Sequence, residues 1–207
     1  MVELFGSNPT LPGQPAVDCN KVHPSANPNG GPPGLNFGEI RHIGKLNIQG
    51  KKNISDVIKS ATGCDLPPSA NTFSSAGERH IVWLGPEEYL LLCEPGKEQP
   101  LLKTLSRMSK EKHFAIVNVT DSLCVFELSG PKTREVLAKG CSIDLHQERF
   151  MPGASAQSLI VQTSVTLLAF PKNKFFLICR TSFAPFIQSW LADAAVEYGY
   201  KLLKSSE

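Results

Sequence analysis

The run from Asn118 to Leu145, N-V-T-D-S-L-C-V-F-E-L-S-G-P-K-T-R-E-V-L-A-K-G-C-S-I-D-L, constrains this chain more than any other stretch. It reads as strand, tight turn and short helix, because Leu123 to Leu128 is rich in β-formers while Val136, Leu137 and Lys139 suit a helix. Gly130 is expected at the N-cap, with Pro131 at the first helical position, where a missing N–H costs nothing, and Gly140 as the left-handed residue that stops the helix. About two and a half turns fit between those glycines at ~3.6 residues per turn.

The rest of the chain arranges itself around that unit. Residues 1–36 hold much of the proline and glycine, including P-S-A-N-P-N-G-G-P-P-G at Pro24 to Gly34. Such a composition buries little, so a flexible tail is expected there. It is expected to order on a partner, with Leu4, Phe5, Leu11, Val17 and Val22 as anchors. Glu39 to Ile48 alternates as a strand, Ile54 to Ala61 has helical spacing, and Asp65 to Gly77 reads as a proline-bearing loop. Arg79 to Leu84 and Tyr89 to Cys93 form a hairpin about Gly85-Pro86-Glu87-Glu88, followed by a helix marked by Leu101, Leu102, Leu105 and Met108 and a strand from Phe114 to Val119. That order, β-α-β-β-α-β, is the ferredoxin-like split arrangement, assigned to residues 37–120.

A second unit, residues 121–207, begins with the strand and helix of the first paragraph. Strands follow at Ala156 to Val161, Val165 to Phe170 and Phe175 to Arg180. A closing amphipathic helix carries Phe186, Ile187, Trp190, Leu191, Ala194 and Tyr198 on one stripe and ends at Gly199. The fold class expected is therefore α+β: two packed ferredoxin-like units with antiparallel sheets.

Charge excludes some functions. With 21 basic and 19 acidic residues and a net charge of +2, no field favours nucleic acid or an anionic membrane. The start, Met-Val-Glu-Leu-Phe-Gly, lacks the pattern of a secretory leader, so a cytoplasmic protein is expected. The six cysteines (Cys19, Cys64, Cys93, Cys124, Cys141 and Cys179) show no C-x-x-C pair and read as structural thiols.

Four separated motifs carry a resemblance. W-L-G-P-E-E-Y-L-L-L at Trp83 to Leu92, S-G-P-K-T-R-E-V-L-A-K-G-C-S-I-D-L-H, R-F-M-P-G-A-S-A-Q at Arg149 to Gln157 and S-F-A-P-F-I-Q-S-W-L-A-D-A-A-V-E-Y-G at Ser182 to Gly199 together resemble the gamma subunit of heterotetrameric sarcosine oxidase. The resemblance covers roughly Phe37 to Tyr200. It implies partnership with alpha, beta and delta subunits that carry FAD, FMN, NAD and zinc, and a complex that demethylates sarcosine to glycine while passing the one-carbon unit to tetrahydrofolate. It also implies a fold related to the folate-binding aminomethyltransferases.

That wider relation raises a rival, a stand-alone folate-dependent enzyme or iron–sulfur assembly factor, and the residues oppose it. The aminomethyltransferase works through an aspartate, and the matching region here, Val161-Gln162-Thr163-Ser164-Val165-Thr166, has none; no aspartate occurs between Asp144 and Asp193. Lys139-Gly140-Cys141 opens the cysteine motif of the iron–sulfur relatives, but Ser142-Ile143-Asp144-Leu145 breaks it. The histidines His23, His42, His80, His113 and His146 read as single surface or strand residues, and Trp83, Phe73, Tyr89 and Trp190 as core. Neither a G-x-G-x-x-G nor a Walker loop occurs. No catalytic, cofactor-binding or metal residue is assigned, no cofactor is expected on this chain, and the isolated protein is expected to be colourless and inactive.

Overall fold

The protein is described here from a computed structural model, which places residues 15–17 and 22–203. Chain order is β1 (Leu35–Glu39), β2 (Gly44–Gln49), α1 (Ser55–Thr62), β3 (Phe73–Ala76), β4 (Arg79–Gly85), β5 (Glu88–Cys93), α2 (Glu98–Lys112) and β6 (Ala115–Asn118). Then come β7 (Leu123–Ser129), α3 (Thr133–Ala138), β8 (Ser155–Ile160), β9 (Thr163–Phe170), β10 (Lys174–Arg180), α4 (Ala184–Ala195) and β11 (Tyr200–Leu202). One sheet runs β3-β4-β5-β2-β6 and the other β11-β1-β7-β10-β9-β8. Every ladder is antiparallel except β1 with β11. The α+β class with antiparallel sheets is thus the observed one.

Both sheets are buried on two faces, which explains the continuous apolar runs Y-L-L-L-C in β5 and F-F-L-I-C in β10. Outward residues Leu46, Ile48, Ile81, Tyr89 and Leu91 pack with Val57, Ile58, Leu101 and Leu105 of α1 and α2. In the second sheet Phe37, Phe126, Leu128, Phe175 and Leu177 pack with Val136, Leu137, Ile187 and Leu191 of α3 and α4. The alternate residues Val82, Leu90, Leu92, Val125, Leu168, Phe176 and Ile178 form a third cluster between the sheets. The layers are therefore helix, sheet, sheet, helix.

The two halves repeat one another in topology. The inward pairs His80–Leu92 and Val82–Leu90 of β4–β5 recur as Thr166–Ile178 and Leu168–Phe176 of β9–β10. At the shared edge, Phe73 N–H donates to Gly153 O at 3.1 Å and Ser155 N–H to Asn71 O at 2.9 Å, so the two halves meet through reciprocal bonds.

Several expectations are corrected. The strand read over Glu39 to Ile48 is two strands in two different sheets. It breaks between them at His42, whose φ is +59°, and β1 slots between β7 and β11. The loop read over Asp65 to Gly77 contains β3, which pairs with β4. Lys132, not Gly130, precedes the helix α3. Gly130 itself has φ +130°, and a Cβ there would lie 2.5 Å from the Gly34 carbonyl oxygen. Gly140 is not left-handed. It is required because a Cβ would meet the Trp190 ring at 2.5 Å.

Part of the stretch read as tail is packed on the chain itself. Ser25 and Tyr200 exchange backbone bonds of 3.1 and 2.8 Å, Val17 and Val22 are buried, and the Ala16 and Val17 N–H groups donate to the Glu39 carboxylate. Tyr200 recruits this segment because its hydroxyl donates to the His23 carbonyl and its ring packs on Phe37 at 5.6 Å. The anchors Leu4, Phe5 and Leu11, and Cys19, lie outside the described residues.

Candidate functional site

The sheets part at two places, each leaving a cavity, and the internal repeat relates the two. The first, about 870 Å³, is bounded by the β1–β2 connection, the β3–β4 turn, the end of β5 and the β9–β10 turn. His80 enters it from β4. Its Nδ1 lies 2.7 Å from the Ser75 hydroxyl, directly opposite on β3, and Phe170, Phe176 and Phe73 surround its ring at 5.2, 5.6 and 6.1 Å. Burial, aided by the Lys174 charge, lowers the His80 pKa to about 4, so the imidazole is neutral at ordinary pH. Lys174 pairs with Glu127 at 2.8 Å and lies over Phe176 at 5.2 Å. At the same rim burial raises the Cys93 thiol to about 11, which removes the thiolate a nucleophile would need.

A serine and a neutral histidine in contact are two parts of a nucleophilic apparatus, but the third is missing among the described residues: no carboxylate bonds to His80 to orient it and hold a positive charge. The pair stitches an edge strand to the sheet. Sequence reasoning misses it because Asp65 to Gly77, which contains β3, reads as a proline-bearing loop. The usable signal was Phe73-Ser-Ser-Ala, alternating in register with His80 and Val82.

The second cavity, about 740 Å³, lies where β9 begins and β10 ends, facing the β6–β7 connection. The region Val161 to Thr166, which has no aspartate, forms the β8–β9 turn at Val161 and Gln162 and the start of β9 beside the cavity, and Ser164 and Thr166 line it with hydroxyls. Among the described residues Arg180 is the one charged side chain in the lining, and Gln157 spans the cleft to donate from Nε2 to the Leu84 carbonyl. Hydroxyls, amides and one guanidinium can bind and orient a ligand. They supply no group with a pKa suited to proton transfer near neutrality.

Elsewhere the sequence candidates are structural. Cys141 is buried, bridged to Ile160, with its Sγ 3.5 Å from the Ser158 hydroxyl. His113 closes α2 in a left-handed conformation, and His146 is exposed beside Glu148. Tyr89 and Phe73 are buried, while Trp83 and Trp190 pack against the two helix-side clusters. A buried lysine went unnoticed: Lys45 on β2 donates from Nζ to the Thr120 carbonyl at 2.8 Å, and desolvation lowers its pKa. Its signal was a charge at an inward position of an alternating strand. Among the described residues no cluster of three His, Cys, Asp or Glu could hold a metal, and no helix is long and apolar enough to cross a membrane.

This helix–sheet–sheet–helix architecture places the chain in a known class. The glycine cleavage system aminomethyltransferase T from Bartonella henselae superposes with a TM-score of 0.62 at 11% identity, over 83% of this chain and 48% of that one. That likeness is one of fold. A chain of the heterotetrameric sarcosine oxidase from Corynebacterium sp. U-96, in complex with pyrrole 2-carboxylate, superposes at 0.75 with 24% identity, covering 82% of this chain and 87% of its own. The sarcosine oxidase, gamma subunit family matches residues 50–197, and the chain belongs to that family. Its relatives include the sarcosine oxidase subunit gamma of Corynebacterium sp. (strain P-1), 28% identical over 142 residues, covering 68% of this chain and 69% of the relative. That of Corynebacterium sp. (strain U-96) is 29% identical over 143 residues, with 68% of each covered.

Proposed function

We propose that the chain is the non-catalytic gamma subunit of a heterotetrameric sarcosine oxidase. It assembles with alpha, beta and delta subunits that hold FAD, FMN, NAD, zinc and tetrahydrofolate, in a cytoplasmic complex that demethylates sarcosine and passes the one-carbon unit to the folate. The observation that carries the reading is the family match from residue 50 to residue 197, which runs from α1 through α4 and takes in strands of both sheets, β3 to β6 of one and β7 to β10 of the other. The chemistry of the cavities supports a role without catalysis: among the described residues no carboxylate orients the histidine in the first, and the polar lining of the second consists of hydroxyls, amides, the Cys179 thiol and Arg180.

The test is the purified chain alone. It is expected to show no flavin absorbance and no sarcosine-dependent peroxide, while a preparation with its partners shows both. A stoichiometric flavin band, or turnover by the chain alone, would overturn the reading.

A further inference from the structure

The internal repeat exposes an asymmetry between the two cavities. The end of β5 and the end of β10 are equivalent positions, because the pairs Val82–Leu90 and Leu168–Phe176 stand in the same relation to their hairpins. At the first end stands Glu94, whose carboxylate is answered within the chain by Arg79 at 2.8 Å. At the second stands Arg180, exposed, lining the cleft. Among the described residues its guanidinium has neither an ion-pair nor a hydrogen-bond partner, and no carboxylate lines the cavity it edges.

Exposed apolar residues line and flank the same cleft. Leu159 is 48% exposed on the face of β8 that looks into the cleft, and Val161 is 50% exposed in the adjoining turn at φ +55°, a conformation that β-branched residues avoid. Across the cleft Val117, 57% exposed, stands beside the lining residue Asn47 on the inward face of the other sheet. The patch therefore runs beyond the cavity on both sides, a breadth that suits a polypeptide rather than a small ion.

We infer that this open end of the sandwich is a docking surface for an acidic segment of a partner subunit, which sets an apolar side chain between Leu159 and Leu84 and a carboxylate against Arg180. The inference rests on the subunit reading above and adds to it the surface and the chemistry of what it receives. A carboxylate is the occupant that the planar guanidinium matches in two parallel bonds, and the apolar walls would desolvate that pair and strengthen it.

The experiment uses the full chain co-expressed with its partner subunits. Wild type is compared with Arg180→Glu, Leu159→Asp and, as a control on the exposed face of α2, Lys103→Glu. Both cleft positions are exposed, so the variants are expected to fold, and their melting curves as isolated chains check this. Retention of the chain on a tagged large subunit is expected to fall at least ~tenfold for Arg180→Glu and Leu159→Asp, and not for the control. On assembly, amide exchange is expected to slow in the β8–β9 hairpin and at residues 178–181. A wild-type chain that fails to assemble would reject the subunit reading. Normal assembly of both cleft variants, or exchange protection confined to other surfaces, would reject the docking cleft and leave the subunit reading standing. Self-association of the isolated chain that Leu159→Asp abolishes would also reject it, in favour of a second copy as occupant.

Discussion

Arg134 holds the longest irregular connection of the chain in place. From α3 its Nε donates to Asn173 Oδ1 at 3.1 Å and its Nη1 to the carbonyls of Leu145 and Phe150, while the guanidinium lies 4.9 Å over the Phe175 ring. A lysine cannot reach all three acceptors, so Arg134→Lys is expected to lower stability by roughly 2–3 kcal/mol, read from denaturant midpoints. Gly130→Ala meets a backbone oxygen at a positive φ and is expected to cost at least ~2 kcal/mol in the same assay. His80 adds a pH dependence. Its folded pKa, about 4, is below the unfolded value of 6.5, so the unfolded chain binds more protons between them. The stability His80 contributes is complete above pH 6.5 and is lost as pH falls towards 4, with a slope of at most about 1.4 kcal/mol per unit. Replacing His80 with Gln should flatten that part of the stability–pH curve; an unchanged slope would assign it to other groups.

Among the elements, legibility followed locality. The hairpin strands β4, β5, β9 and β10 and the helices α1, α2 and α4 announce themselves by composition and nearby turns. β1, β3 and β11 do not, since each is only three to five residues long and acquires its identity from its partners. Leu35–Glu39 is a strand because β7 and Tyr200–Leu202 flank it, far away in sequence. The glycines of the α3 turn were misread for a related reason: Gly130 and Gly140 are both needed, but for the approach of Gly34 and Trp190, which the local pattern does not contain. The candidate sites were hidden likewise, because Ser75 and His80 meet only once β3 exists. A test at this scale is Phe37→Ala in β1. Phe37 is fully buried against Tyr200, so the substitution should cost about 3–5 kcal/mol and loosen β11 with it. Accelerated amide exchange at Tyr200–Leu202 would show the coupling.

At the scale of the molecule, the inter-sheet cluster turns two topological halves into one body. Leu92 and Val82 from one sheet and Val125, Leu168 and Phe176 from the other are all nearly or fully excluded from water. Neither half can unfold without exposing that layer, so the chain is expected to unfold in a single transition, with calorimetric and van't Hoff enthalpies in agreement. A body of two packed sheets that belongs to the sarcosine oxidase gamma subunit family suits a chain that assembles with other subunits. The native mass of the co-expressed oxidase measures this most directly. One species is expected, containing this chain once together with three different partners, its flavins remaining with the partners when the complex is dissociated. Partners that assemble into a fully active oxidase while this chain stays behind as a free monomer would contradict it.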